Sequence, residues 1–180
     1  KTATTGAYSW KVPDDIAPVD GFSYGYISVE ARDNKNNKSF AISSRITFLG
    51  LLSWVHVSTG GSDTYPAGDG SITKPYRTIQ KGLNRVAKGC SVEAAGGTYN
   101  EYNILWPKRD NITLRPSPET AVCTIDSGGS GRCISVESAV NLTIEGFTLQ
   151  NALSTTSGGC FFIPGGTVLR LKNDLIRDCS

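Results

Sequence analysis

The sequence predicts an all-β chain in two parts: a small unit of alternating strands over residues 1–48, then a stack of repeated coils over residues 49–180. Three observations carry this expectation. First, "GRCISVESAVNLTIEGFTLQN" (131–151) and "GGCFFIPGGTVLRLKNDLIRD" (158–178) superimpose without a gap at an offset of 27 residues. Cys133 falls on Cys160, Ile134 on Phe161, Val136 on Ile163, Leu142 on Leu169, Ile144 on Leu171 and Leu149 on Ile176. A fixed period of this size marks stacked repeats. Second, the 20 Gly residues, set among Thr, Ser, Val and Ile, favour short strands and tight turns. Third, early residues alternate with period 2, and helical periodicity is confined to one segment.

Taken in order, "AYSWKV" sets Tyr8, Trp10 and Val12 on one face of a strand. "YGYISVEA" alternates Tyr24, Tyr26, Ser28 and Glu30 against Ile27, Val29 and Ala31. "DNKNNK" is a polar turn, and "SFAISSRITF" forms a third strand with Phe40, Ile42, Ser44, Ile46 and Phe48 in step. Such alternation suits antiparallel pairing with one polar face. "LGLLSW" (49–54) is an apolar hinge, expected to pack because flexible linkers are Gly/Ser-rich. Next come a strand from Trp54, a Gly-rich loop and one helix over Thr78–Lys88. Thr78 caps that helix, Ile79, Leu83, Val86 and Ala87 form its apolar face, and Gly89 stops it. Short apolar strand phrases follow to the end: "SVEAA", "NITLRP", "AVCTID", "CISVE", "NLTIEGFTLQN", "CFFIP" and "TVLRLKNDLIRD".

Two resemblances refine this outline. "TGAYSWKVP", "YGYISVEA" and "SFAISSRITF" resemble, over about 45 residues, the Ig-like domain of the Ser/Thr-rich, GPI-anchored cell-wall protein family. That likeness implies a partial Ig-like β-sandwich, since a full one takes about seven strands. "VHVSTGGSD", "TKPYRTIQKGLNRVAKGCSVEAAGGTYNE" and the phrase "NLTIEGFTLQN" resemble the opening segment of right-handed parallel β-helix proteins of the pectin-lyase-like superfamily. This second likeness covers roughly 125 residues. It implies a right-handed parallel β-helix whose single N-terminal α-helix caps the first coil. Like residues then stack at about 4.8 Å, Asn111 with Asn141, Ile112 with Leu142 and Leu114 with Ile144. The superfamily hosts lyases, hydrolases, epimerases, phage spikes and adhesins, so the fold specifies function poorly.

Composition narrows the function classes. The net charge is +2 and no Lys/Arg run exceeds two residues, which argues against a nucleic-acid partner. No stretch approaches 18 apolar residues, so no membrane span is expected. The polar opening "KTATTGAYSW" lacks a signal peptide and reads as a processed or truncated product. The five Cys form no CxxC pair and His56 is the one histidine, which excludes a zinc site of ordinary spacing. Cys90, Cys123, Cys133, Cys160 and Cys179 are either disulfide partners or buried thiols. Cys90, Cys133 and Cys160 each open a strand phrase and are expected in one column. Three sequons, at Asn37, Asn111 and Asn141, favour a secreted or cell-surface location.

Candidate chemistry is sparse. Tyr99, Tyr102 and Trp106 lie close together in "TYNEYNILWP" and are candidates for stacking on sugar rings. Asp63 and Asp69 in "GGSDTYPAGDG" are candidates for Ca2+, without the EF-hand pattern, and no other cofactor is implied. Asp126, Asn151 and Asp178 end successive phrases and are expected to form a hydrogen-bonded turn ladder. His56 reads as an ordinary strand residue. No catalytic constellation stands out. The sequence therefore points to an extracellular structural or adhesive β-helix that self-associates through open β edges into filaments. The alternatives are the N-terminal part of a lyase or glycosidase acting on acidic polysaccharide, and a non-catalytic carbohydrate-binding module.

Overall fold

The computed structural model describes residues 22–25, 28–32, 38–42 and 46–49 by their backbone, and residues 50–156 and 158–180 in full. The chain divides into two compact units, Lys1–Leu51 and Leu52–Ser180.

In the first unit, β1 (Phe22–Gly25) pairs antiparallel with β4 (Ile46–Leu49), and β2 (Ser28–Arg32) pairs antiparallel with β3 (Lys38–Ile42). Antiparallel pairing is as expected. The stretch "SFAISSRITF", expected as one strand, contributes to β3 and to β4, and residues 43–45 lie outside the described residues. Among the described residues these strands form two two-stranded sheets. The strand expected around Trp10, the "DNKNNK" turn and Asn37 lie outside the described residues.

The second unit is a parallel β-solenoid of about three turns, each turn laying down one strand in each of three sheets. The long sheet contains β5 (Leu52–Val57), β6 (Val86–Ala94), β9 (Ile112–Pro116), β12 (Asn141–Glu145) and β15 (Val168–Lys172). The middle sheet contains β7 (Gly97–Tyr99), β10 (Cys123–Asp126), β13 (Phe147–Ala152) and β16 (Leu175–Cys179). The short sheet contains β8 (Ile104–Trp106), β11 (Ile134–Val136) and β14 (Phe161–Phe162). The 27-residue offset is the true register: Ile134 lies beside Phe161, Leu142 beside Leu169, Ile144 beside Leu171 and Leu149 beside Ile176.

No single turn can bury its own apolar side, so inward residues stack into ladders. One runs Val55, Val92, Leu114, Ile144 and Leu171 across the long sheet. A second runs Tyr99, Ile125, Leu149 and Ile176 across the middle sheet. Most of these side chains are fully buried, each contributing about 1.5–3 kcal/mol through loss of apolar contact with water. Corners repeat too. Gly146 and Asn173, one period apart, both take a left-handed φ (73° and 57°), which glycine and asparagine tolerate best.

The helix α1 (Ile79–Arg85) is shorter than its sequence pattern. Thr78 caps it as expected, its side chain accepting from the Lys81 N–H at 3.1 Å. Ile79 and Leu83 are buried as expected. Val86 and Ala87, assigned above to the helix face, instead open β6, where Val86 lies beside Leu52. A β-branched residue at the end of the helical period is equally at home in a strand, and pairing with β5 decides between them. Gly82 permits close packing: a Cβ there would lie 2.6 Å from a methyl of Val57 and 3.0 Å from one of Val92.

Two carboxylates hold the first turn of α1. Asp63 accepts from the backbone N–H groups of Arg77 (2.8 Å) and Thr78 (3.1 Å) and from the Thr78 hydroxyl (2.7 Å). Glu101 accepts from the N–H groups of Ile79 (2.7 Å) and Gln80 (3.0 Å). Burial pushes the Glu101 carboxyl above its usual range despite those donors. At strand edges, loop residues take up backbone groups. The His56 N–H donates to Gly70 O, the Ser58 N–H to Tyr76 O and the Tyr76 N–H to His56 O. The Gln80 side-chain amide bonds both backbone groups of Leu105 on β8, at 3.0 and 2.6 Å.

Candidate functional site

The outward face of the long sheet carries a row of ionisable side chains. In β5, Val55 and Val57 point inward, so Trp54 and His56 point outward; the same parity puts Ser91 and Glu93 outward on β6, and Thr113 and Arg115 outward on β9. The register sets His56 beside Glu93 and Glu93 beside Arg115. Arg115 Nη2 donates to Glu93 Oε1 at 2.6 Å, and His56 Nδ1 lies 3.5 Å from Glu93 Oε2. Glu93 is 9% exposed, whereas Trp54 in the neighbouring column is 59% exposed. The Arg115 guanidinium lies 5.7 Å from the Trp54 ring centroid, so it links the carboxylate to the open aromatic face. The row continues with Glu145 and Lys172, which lie side by side on β12 and β15.

Beside this row is a groove of about 180 Å3 lined by His56, Ser58, Ile72, Pro75, Glu93 and Ser117. The groove combines a carboxylate, an imidazole and two hydroxyls with apolar Ile72 and Pro75. Its equipment is that of a surface site for a polar, hydroxyl-bearing ligand.

The residues singled out from sequence fall elsewhere. Tyr99 and Trp106 are each 2% exposed, and the Tyr99 hydroxyl donates into the Val57 and Ala95 carbonyls. Burial leaves neither ring a free face for sugar, because both point inward on strands β7 and β8; Tyr102 is exposed. Asp63 is committed to α1, and Asp69 accepts from the Ser71 N–H at 2.9 Å. Asn111 is exposed at a left-handed corner (φ 59°), and Asn141 opens β12 half-buried.

Of the cysteines, Cys160 and Cys179 form a disulfide. Cys133 is a buried thiol whose sulfur lies 3.5 Å from that of Cys160. Cys90 does not share their column: it lies in β6 of the long sheet, because "CSVEA" and "CISVE" belong to different sheets despite their likeness. Cys123 is buried in β10, and burial pushes its thiol up to about 11.

Part of the expected turn ladder forms, Asn151 bonding Asp126, but Gln150 and Arg177 rather than Asp178 continue the row. Asp126 lies beside Gln150, and Gln150 beside Arg177. Asp126 accepts from Gln150 Nε2 (2.7 Å), from Asn151 Nδ2 at both oxygens (3.0 Å each) and from the Gly128 N–H (2.9 Å). Arg177 donates through Nε to Gln150 Oε1 at 2.9 Å.

Comparison with protein-family profiles, with curated proteins and with solved structures finds no match. Among the described residues, no helix is long and apolar enough to cross a membrane.

Proposed function

We propose that this chain is a non-catalytic saccharide-binding solenoid of the cell surface or extracellular space, with its binding face on the outer side of the long sheet. The observation that carries this reading is an exposed Trp54 coupled through Arg115 to the half-enclosed Glu93–His56 pair. An open indole offers an apolar face to the C–H side of a sugar ring, and the polar row offers donors and acceptors to its hydroxyls. The groove, about 180 Å3, is below the roughly 300–1,000 Å3 of an enclosing small-molecule pocket, which favours surface contact with an extended polymer. The Cys160–Cys179 disulfide supports an oxidising location.

The test is calorimetric titration of the protein with oligogalacturonate and with a neutral oligosaccharide of equal length. Saturable binding that Trp54→Ala weakens about tenfold supports the reading; binding unchanged by Trp54→Ala, or none with either sugar, refutes it.

A second reading is polysaccharide cleavage, favoured by the Glu93–His56 contact at 3.5 Å. Carboxylate-pair hydrolysis needs a second acid roughly 5–9.5 Å away, and Glu145, two strand spacings on, is the candidate in this row. Release of reducing ends or of unsaturated products, lost in Glu93→Gln, would establish it. The likeness to pectin-lyase-like proteins agrees with either reading. Under it the coils wind right-handed and α1 is a lid on the first coil, a role consistent with the Asp63, Glu101 and Gln80 contacts described above.

A further inference from the structure

Three sulfurs from separate strand phrases meet at one place in the solenoid. Cys133 precedes β11, Cys160 precedes β14 one period later, and Cys179 lies in β16. The three sulfurs all lie within 4.8 Å of one another. Cys160 and Cys179 are bonded, which leaves Cys133 as a thiol 3.5 Å from the Cys160 sulfur.

We propose that Cys133, Cys160 and Cys179 form a thiol–disulfide exchange triad in which Cys160 is the shared partner of two alternative disulfides. In the step, the Cys133 thiolate attacks Cys160 Sγ. The Cys133–Cys160 bond forms, the Cys160–Cys179 bond breaks, and Cys179 leaves as a thiolate that takes up the proton Cys133 gave to solvent. One thiol and one disulfide become one thiol and one disulfide, so no external oxidant or reductant is consumed.

The backbone is arranged for either bond. Cys133 and Cys160 occupy stacked positions, with the Ile134 N–H donating to the Cys160 carbonyl at 3.0 Å. Neighbouring parallel strands are about 4.8 Å apart, within the Cα separation that a disulfide spans. The Ser127 hydroxyl donates to Cys133 Sγ at 3.2 Å and so favours the thiolate. Burial acts against it, raising the Cys133 thiol above its ordinary value, so exchange is slow at neutral pH and accelerates as pH rises. The consequence is positional. Exchange retires a fully buried thiol and creates one at Cys179, a residue partly open to solvent, where a low-molecular-weight disulfide or alkylating agent can reach it.

Peptide mapping tests this directly. No Lys or Arg lies between Cys133 and Arg170, so trypsin leaves Cys133 and Cys160 on one peptide and Cys179 on another. Folded protein is held at pH 8.5 with iodoacetamide and no reductant, then digested in acid-quenched aliquots. The proposal expects the Cys179 peptide to become alkylated over time while the 133–170 peptide gains an internal disulfide. Cys133→Ser is expected to keep the two peptides cross-linked and Cys179 unlabelled, and Cys179→Ser to acquire a Cys133–Cys160 bond on air oxidation. Alkylation of Cys133 with the Cys160–Cys179 link intact would overturn it. So would equal Cys179 labelling in the wild type and in Cys133→Ser, or two persistent free thiols in folded Cys179→Ser.

Discussion

The solenoid carries two outward rows of polar side chains, built on the same register rule and put to different ends. On the middle sheet, Asp126 lies beside Gln150 and Gln150 beside Arg177. On the long sheet, His56 lies beside Glu93 and Glu93 beside Arg115. In the first row Asp126 receives four hydrogen bonds, from Gln150, Asn151 and Gly128, so its acceptor capacity is spent within the protein. In the second, Glu93 is more deeply set, holds Arg115 on one oxygen and faces His56 on the other, with an open indole and a groove alongside. The difference teaches that stacking alone makes a ladder. A binding face additionally needs unspent polar capacity and an aromatic surface beside it.

Four substitutions sharpen or break that contrast. The largest stability effect is expected from Arg115→Ala, which leaves Glu93 enclosed without its main cation. A loss of about 3 kcal/mol is expected in urea denaturation, because an uncompensated buried charge is costly. Trp54→Ala is expected to weaken oligosaccharide binding about tenfold, equivalent to about 1.4 kcal/mol, with the melting temperature unchanged. On the other row, Arg177→Ala is expected to cost about 0.5 kcal/mol or less, since Arg177 is exposed. A loss equal to that of Arg115→Ala would erase the contrast.

The smallest effect concerns acid. Hydrogen bonds from Gln150 and Asn151, with the Gly128 N–H, hold the Asp126 carboxyl below its usual value of 3.8. A carboxyl lowered in the folded state contributes stability that is present above 3.8 and lost as pH falls through the folded value. Asp126→Asn is expected to flatten that part of the acid limb by about a few tenths of a kcal/mol, given solvent screening. An unaltered acid unfolding curve would count against the ladder's electrostatic role.

Much of the coil stack was legible because inward residues obey period 2 along each strand and a 27-residue period between the last turns. The binding row was not. From His56 to Glu93 is 37 residues, from Glu93 to Arg115 is 22 and from Arg115 to Glu145 is 30, because the loops between strands differ in length. No fixed offset aligns them. Only the outward parity of each strand, Trp54 and His56 against Val55 and Val57, carried a signal. Tyr99 and Trp106 misled for the complementary reason: their large apolar area and a spacing next to Tyr102 suggested a patch, but inward parity decides burial. Val86 and Ala87 satisfied both the helical and the strand pattern, and only pairing with β5 resolved them.

The loop from Ser58 to Tyr76 gives the long sheet a direction of growth. At His56 and Ser58 the outer hydrogen-bonding positions of β5 are already occupied by Gly70 and Tyr76. A strand arriving from another molecule at that place would first have to evict native bonds, whereas a sheet left bare would act as a template. The β5 margin is thus insulated against recruitment of foreign backbone there. Strand addition from another copy is not expected at that part of β5.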